Sequence, residues 1–152
     1  MTPAILFLEQ QQASFTLHSY NCTAHDDFGA HAAAQLQVPL AQVFKTLLTE
    51  GEQGAVVAIV PASAKVNLKR LAKAAGVKKL DMMAPAKAER LTGYKVGGIS
   101  PFAQKKRLLT VLDASASHHA TILVSGGKRG LSVAISGAHL IALLDGKCAD
   151  II

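Results

Sequence analysis

Lys45 stands where a cation is out of place. It lies inside the apolar run Val43-Phe44-Lys45-Thr46-Leu47-Leu48, and a strand's period of two puts it on one face with Val43 and Leu47. Such a lysine is either a charge that guards a sheet edge or a half-buried ammonium aimed into a pocket. In a pocket it can hold an acceptor oxygen or titrate below its usual range. Further along, Gly97-Gly98-Ile99-Ser100-Pro101 sits just ahead of the cations Lys105, Lys106 and Arg107. Two glycines permit φ > 0 and close approach of a ligand. Successive free N–H groups in such a turn form a nest for an anion or a carbonyl, and Ser100-Pro101 can open a short helix whose first amides add donors. The bland alternative is a plain connection between elements. Val124-Ser125-Gly126-Gly127-Lys128-Arg129-Gly130 is a second candidate nest, with a tight hairpin turn as the equal alternative.

Other chemistries find less support. The histidines, His18, His25, His31, His118, His119 and His139, show neither HxxxH nor HExxH spacing, so no metal is expected. His25-Asp26-Asp27 reads as a solvated polar loop rather than an acid–base group. No GxSxG elbow, no GxxxxGK[ST] loop and no strand–GxGxxG–helix unit occurs, and no cofactor is expected. Cys22 and Cys148 make no CxxC. Both are expected to be reduced, and Cys22 is expected to be a small semi-buried side chain rather than a nucleophile. The net charge of +6, from 16 Lys and Arg against 10 Asp and Glu, suits an anionic partner, though it is weaker than that of a nucleic-acid coat.

These residues need a scaffold. A chain of 152 residues, half of them hydrophobic, reads as one domain with a real core. No apolar run reaches the ~18 residues of a membrane span. The opening MTPAILFLEQQQ lacks a basic region and carries Glu9, so it does not read as a signal peptide, and a cytoplasmic protein is expected. Thr2-Pro3 starts a helix that runs to about residue 12. FTLHSY (15–20) alternates as a strand, AHAAAQLQ (30–37) is helical, and Val38-Pro39 ends it. VFKTLLTE (43–50) and GAVVAIVP (54–61) form a hairpin. NLKRLAKAAG (67–76) and PAKAERLTG (85–93) are short helices, with VKKLD as a strand between them. LLTVLD (108–113), TILVSGG (121–127) and LSVAIS (131–136) are strands, and SGAHLIALLDG closes the chain as a helix. The count, about seven strands and five short helices, predicts a mixed α/β domain.

Taken together, FKTLL (44–48), TGYKVGGISPFAQKKR (92–107) and VSGGKRGL (124–131) resemble the YbaK family of aminoacyl-tRNA deacylases. That family is similar to the editing insertion domain of bacterial prolyl-tRNA synthetase. The resemblance spans essentially the whole chain, 1–152. It implies a mixed β-sheet, partly closed like a barrel, with helices around it. It implies removal of cysteine mischarged onto proline tRNA, with Lys45 as the essential lysine and the loop from Gly97 to Pro101 holding the aminoacyl end. Gly98 and Ser100 are then expected to act beside Lys45 at the ester, flanked by Gly97, Ile99 and Pro101. Tyr20, Phe28, Thr46 and Ser125, with Gly126 and Gly127, are expected to line the pocket. Lys105, Lys106, Arg107, Lys128 and Arg129 are expected to meet acceptor-end phosphates. The family uses no protein nucleophile: the cysteine's own thiol attacks its ester, a lyase-like reaction. A complex with prolyl-tRNA synthetase and a monomeric chain are further expectations. An alanine-specific deacylase on the same scaffold and a non-catalytic module that binds a tRNA end or a nucleotide remain as alternatives.

Overall fold

The computed structural model describes residues 1–152. Thr2 Oγ1 accepts the amide of Ile5 at 3.2 Å and Pro3 takes the first helical position, so helix α1 runs Pro3–Gln10. Strand β1 (Thr16–Ser19) follows, then α2 (Phe28–Leu36), which ends before Val38-Pro39 on a left-handed Gln37. Strands β2 (Phe44–Gly51) and β3 (Gly54–Pro61) are the expected hairpin, closed at the pair Gly51–Gly54. Helix α3 (Leu68–Ala75) is capped by the Asn67 side chain and stopped by a left-handed Gly76. The segment VKKLD yields only the first residue of a two-residue strand, β4 (Asp81–Met82), ahead of α4 (Pro85–Thr92).

Strand β5 (Leu109–Asp113), β6 (Ile122–Ser125), β7 (Leu131–Ile135) and α5 (Gly137–Leu144) lie where the sequence puts them. Strand β6 is shorter than expected because Gly126 to Gly130 belong to the turn into β7. A further strand, β8 (Lys147–Ala149), pairs parallel to β5. Ser100-Pro101 opens no helix. The Ser100 Oγ instead accepts the amide of Phe102 at 3.2 Å, spending in a local turn the bond a helix cap would make.

The strands form two sheets, one of order β4-β2-β3-β5-β8 and one of order β1-β7-β6, and no closed barrel. GAVVAIVP is apolar at every position because β3 is covered on both faces. Val57 and Ile59 point into the main core with Phe44, Leu48, Leu112 and the α1 residues Ile5 and Leu8. Val56, Ala58 and Val60 point the other way, against Leu71 of α3 and Ile151. Strand β2 is the outer partner of β3. Its far edge pairs with β4 only at Thr49 and Glu50, and it meets the second sheet through one parallel bridge, Val43 to Leu123. Between these attachments the edge of β2 borders a gap between the sheets. That gap is the site.

Candidate functional site

The gap is a cavity of about 410 Å³. The β2 residues Val43 to Leu48 form one wall, β6 and β7 a second, and Phe28, Gly97 and Ile99 a third, with Met82 and Met83 at one end. The lining is mostly apolar. Lys45 is its only cation and Asp27 its only carboxylate, and no histidine or cysteine lines it.

The hairpin register puts Lys45 opposite Val60 and Thr46 opposite Ile59. Lys45 is half-buried, and desolvation pulls its ammonium below the ordinary value of 10.5. The negative charge of Asp27 opposes that shift, and Lys65 adds to it. Lys45 takes part in neither of the molecule's ion pairs, Arg70–Asp150 and Lys87–Glu50. The adjacent Thr46 Oγ1 is the one buried side-chain oxygen or nitrogen without a hydrogen-bond partner. Buried polar groups are ordinarily paired, so an ammonium and an orphan hydroxyl on one cavity wall mark a place for ligand oxygens.

The two glycine loops pack on one another. In the first, Gly97 has φ +88° and Gly98 N–H donates to Lys95 O at 2.8 Å, closing a turn. The amides of Gly97 and Ile99, both in the cavity wall, donate to no group of the protein. The second loop is a tight hairpin between β6 and β7, and Gly127 N–H donates to Ser125 Oγ at 3.1 Å. A Cβ on Gly98 would stand 2.7 Å from Lys128 Cα and 2.9 Å from Arg129 N. What approaches Gly98 closely is therefore the backbone of the other loop. Thr2 Oγ1 donates to Gly126 O at 2.5 Å, and the buried Tyr94 hydroxyl donates to Phe102 O at 2.5 Å, fixing both loops from behind. Burial pushes that phenol up to about 12.

Seven of the expected residues, Tyr20, Phe28, Lys45, Thr46, Gly97, Ile99 and Ser125, meet in this cavity. Gly98, Ser100, Pro101, Gly126 and Gly127 do not line it. Ser100 is fully buried behind the loop. Arg129 is exposed but already engaged: its Nε donates to Val96 O at 3.0 Å and its Cζ lies 4.6 Å from the Phe28 ring centroid. Glu89 holds the other side of the same peptide segment, accepting Val96 N–H at 2.7 Å. Arg129 is thus a clamp that joins the two loops to α2. Lys105, Lys106, Arg107 and Lys128 are exposed and unpaired, and Arg107 borders a separate crevice of about 180 Å³ beside Phe7 and Leu143. Asp27, Met82, Met83 and Ser132 escaped the sequence reading. Asp27 lay hidden in a loop whose polarity looked like solvation, and the methionines carry no chemical signature.

A pocket of this size between two sheets, with one desolvated lysine and free loop amides, has the room and the donors for a small acyl-bearing group. Residues 27–143 match the aminoacyl-tRNA editing domain family. The chain belongs to that family and is an aminoacyl-tRNA deacylase. It is 35% identical over 99% of its length to an Enterococcus faecalis protein assigned by name as a Cys-tRNA(Pro)/Cys-tRNA(Cys) deacylase, EbsC, 92% of which is covered. Its fold matches a crystal structure described as a trans-editing enzyme for prolyl tRNA synthetase, with a TM-score of 0.87 and 21% identity over 99% of this chain and 98% of that one. It also matches the hypothetical protein APE2540, with a TM-score of 0.88 and 22% identity over 98% of both chains. No helix is long and apolar enough to cross a membrane.

Proposed function

We propose that the chain, acting as one editing domain over residues 1–152, removes cysteine from Cys-tRNA(Pro) in the cytoplasm, and accepts Cys-tRNA(Cys) as well. The observation that carries this is the unpartnered Lys45 ammonium in a cavity that offers no protein nucleophile with a base. An ester held there has its carbonyl oxygen among Lys45 and the amides of Gly97 and Ile99, donors already in place for the oxyanion. The cysteine Sγ attacks its own carbonyl carbon. The ester C–O bond breaks, a cyclic thiolactone leaves, and the terminal adenosine oxygen takes the thiol proton. The thiol is tethered to the carbon it attacks, so proximity comes with the substrate. Thr46, Tyr20, Phe28 and Ser125 shape the pocket for the amino acid and adenosine. Cysteine and proline are close enough in size for a synthetase pocket to confuse them, which is the setting for a second sieve.

Single-turnover deacylation of Cys-tRNA(Pro), with Ala-tRNA(Pro) and Ser-tRNA(Pro) alongside, tests this reading. The cysteine ester is expected to be lost about 100-fold faster than the others, since they have no thiol to attack with. Equal loss of alanine and cysteine would replace intramolecular attack with hydrolysis. Tight binding of acceptor-stem RNA without turnover would make the chain a binding module.

A cavity of about 410 Å³ admits an acceptor end and not the tRNA body. Lys105, Lys106, Arg107 and Lys128 then meet phosphates, while choice of tRNA is left to prolyl-tRNA synthetase in a complex with the monomeric chain. Replacing Lys105, Lys106 and Arg107 together by Ala is expected to flatten the plot of log affinity against log salt by about 0.7 to 0.9 per lost phosphate contact. Cleavage of a minimal cysteinyl-adenosine ester should not change. An unaltered salt slope would remove these three from the interface.

A further inference from the structure

An aminoacyl ester brings a second charge into this cavity. Its α-ammonium sits on the carbon next to the carbonyl. If Lys45 holds the carbonyl oxygen, two cations stand within a few ångströms of each other, and a site without an anion repels its own substrate. The lining supplies one carboxylate, Asp27. The other acids close by in the chain or the fold do not line the cavity: Asp26 lies outside it, Glu89 accepts Val96 N–H and Glu50 pairs with Lys87.

Asp27 is uncommitted. It occupies the position before α2 where an aspartate ordinarily accepts a helix amide. Its backbone is instead left-handed, φ 47° and ψ 50°, and its side chain makes no capping bond. It joins neither ion pair and lies exposed at the cavity's edge, close enough for Lys45 to feel its charge. Lys45 and Asp27 are thus a separated pair of opposite charges on one cavity, matched to a carbonyl oxygen and an adjacent ammonium.

We propose that Asp27 receives the α-ammonium of the bound aminoacyl group and so makes this an aminoacyl rather than a general acyl site. The assignment rests on the reading that the cavity takes an aminoacyl end. It gives the enzyme a basis for sparing esters whose amine is blocked, such as N-acylated aminoacyl-tRNA and peptidyl-tRNA. A buried-amide neighbour would not discriminate in this way, because it does not need the positive charge.

The test uses two stable amides, 3′-cysteinylamino-3′-deoxyadenosine and its 3-mercaptopropionyl counterpart, which lacks only the ammonium. Their affinities are measured by calorimetry on the whole chain and on Asp27→Asn and Asp27→Glu. The wild type is expected to favour the ammonium-bearing compound by about 10-fold, the scale of a partly solvated charge pair. Asp27→Asn should bring the two within about 2-fold, and Asp27→Glu should restore part of the preference. A wild type that binds both amides equally overturns the proposal, as does an Asp27→Asn variant that keeps the preference. A wild type that prefers the ammonium yet leaves Cys-tRNA(Pro) intact keeps this assignment and sinks the deacylase reading. Binding of neither amide sinks both.

Discussion

Lys45→Ala is expected to lower the single-turnover rate on Cys-tRNA(Pro) by about 10²–10³-fold, the cost of removing one preorganised oxyanion donor. The variant should fold as well as the wild type. Lys45 makes no ion pair, and its lowered pKa means that the folded state disfavours its charged form. The sign for stability follows. Between the folded pKa and the unfolded 10.5, the unfolded chain binds more protons, so Lys45 makes the fold more stable as pH rises through that window. Lys45→Ala removes this slope and leaves the urea midpoint at neutral pH unchanged or slightly higher. Catalysis runs the other way on the Lys45 limb: the rate rises as the substrate thiol ionises, and if the cation holds the oxyanion it then falls as pH rises through the lowered Lys45 pKa. Single-turnover rates on a cysteinyl-adenosine ester, less its uncatalysed loss, measured across alkaline pH, check that fall. The edge-guard reading of Lys45 predicts something different, a variant with full activity that aggregates. A Lys45→Ala protein that deacylates at the wild-type rate would remove Lys45 from the chemistry.

Lys45 was legible because a cation in a run of alternating apolar residues violates a local rule, and such violations gather at functional sites. The two glycine loops were legible as loops because their clustered glycines mark turns and close approach. Their relation was not. Gly98 and Lys128 are far apart in sequence, and nothing local to Gly98 says that the neighbour demanding its missing Cβ is another stretch of backbone. The clamp made by Arg129 was not legible, because charge is visible in sequence and its partners, Val96 O and the Phe28 ring, are not. Ser100 looked like a helix start because Ser-Pro is a helix-start pair, yet a turn bond to Phe102 competes for the same oxygen. The hairpin of β2 and β3 and the capped helices α1 and α3 followed from local signals alone. Strand β8 did not: it has three residues, lies on a sheet edge, and exists only because β5 offers it a ladder. Asp27 shows the limit most clearly. Its type was visible, but its orientation depends on a left-handed backbone at the start of α2.

Gly98→Ala is expected to be more damaging than Gly97→Ala. Gly97 and Gly98 differ in why they are glycine. At Gly97, φ is +88° and an added Cβ would meet the Phe28 ring at 2.9 Å and Arg129 Nε at 2.8 Å, side-chain atoms that can shift with less disruption than backbone. Its cost is then mostly the left-handed conformation, about 1–2 kcal/mol. Gly98 carries no such backbone penalty, but its Cβ would meet Lys128 Cα at 2.7 Å, Lys128 C at 2.8 Å and Arg129 N at 2.9 Å. These are backbone atoms of a hairpin held by Thr2 on one side and the β6–β7 ladder on the other. They cannot move without parting the loops. Parting them releases the bond from Arg129 Nε to Val96 O and carries the free amides of Gly97 and Ile99 away from the cavity. Overpacking of this kind costs about 1–3 kcal/mol, and misplacing the donors by about 1 Å costs about 10²-fold in rate. Urea unfolding and single-turnover deacylation of the two variants separate the causes. Gly97→Ala should lose stability with a smaller change in rate, while Gly98→Ala should lose both. A Gly98→Ala variant that retains the wild-type rate would show that contact between the two loops does not position the ester.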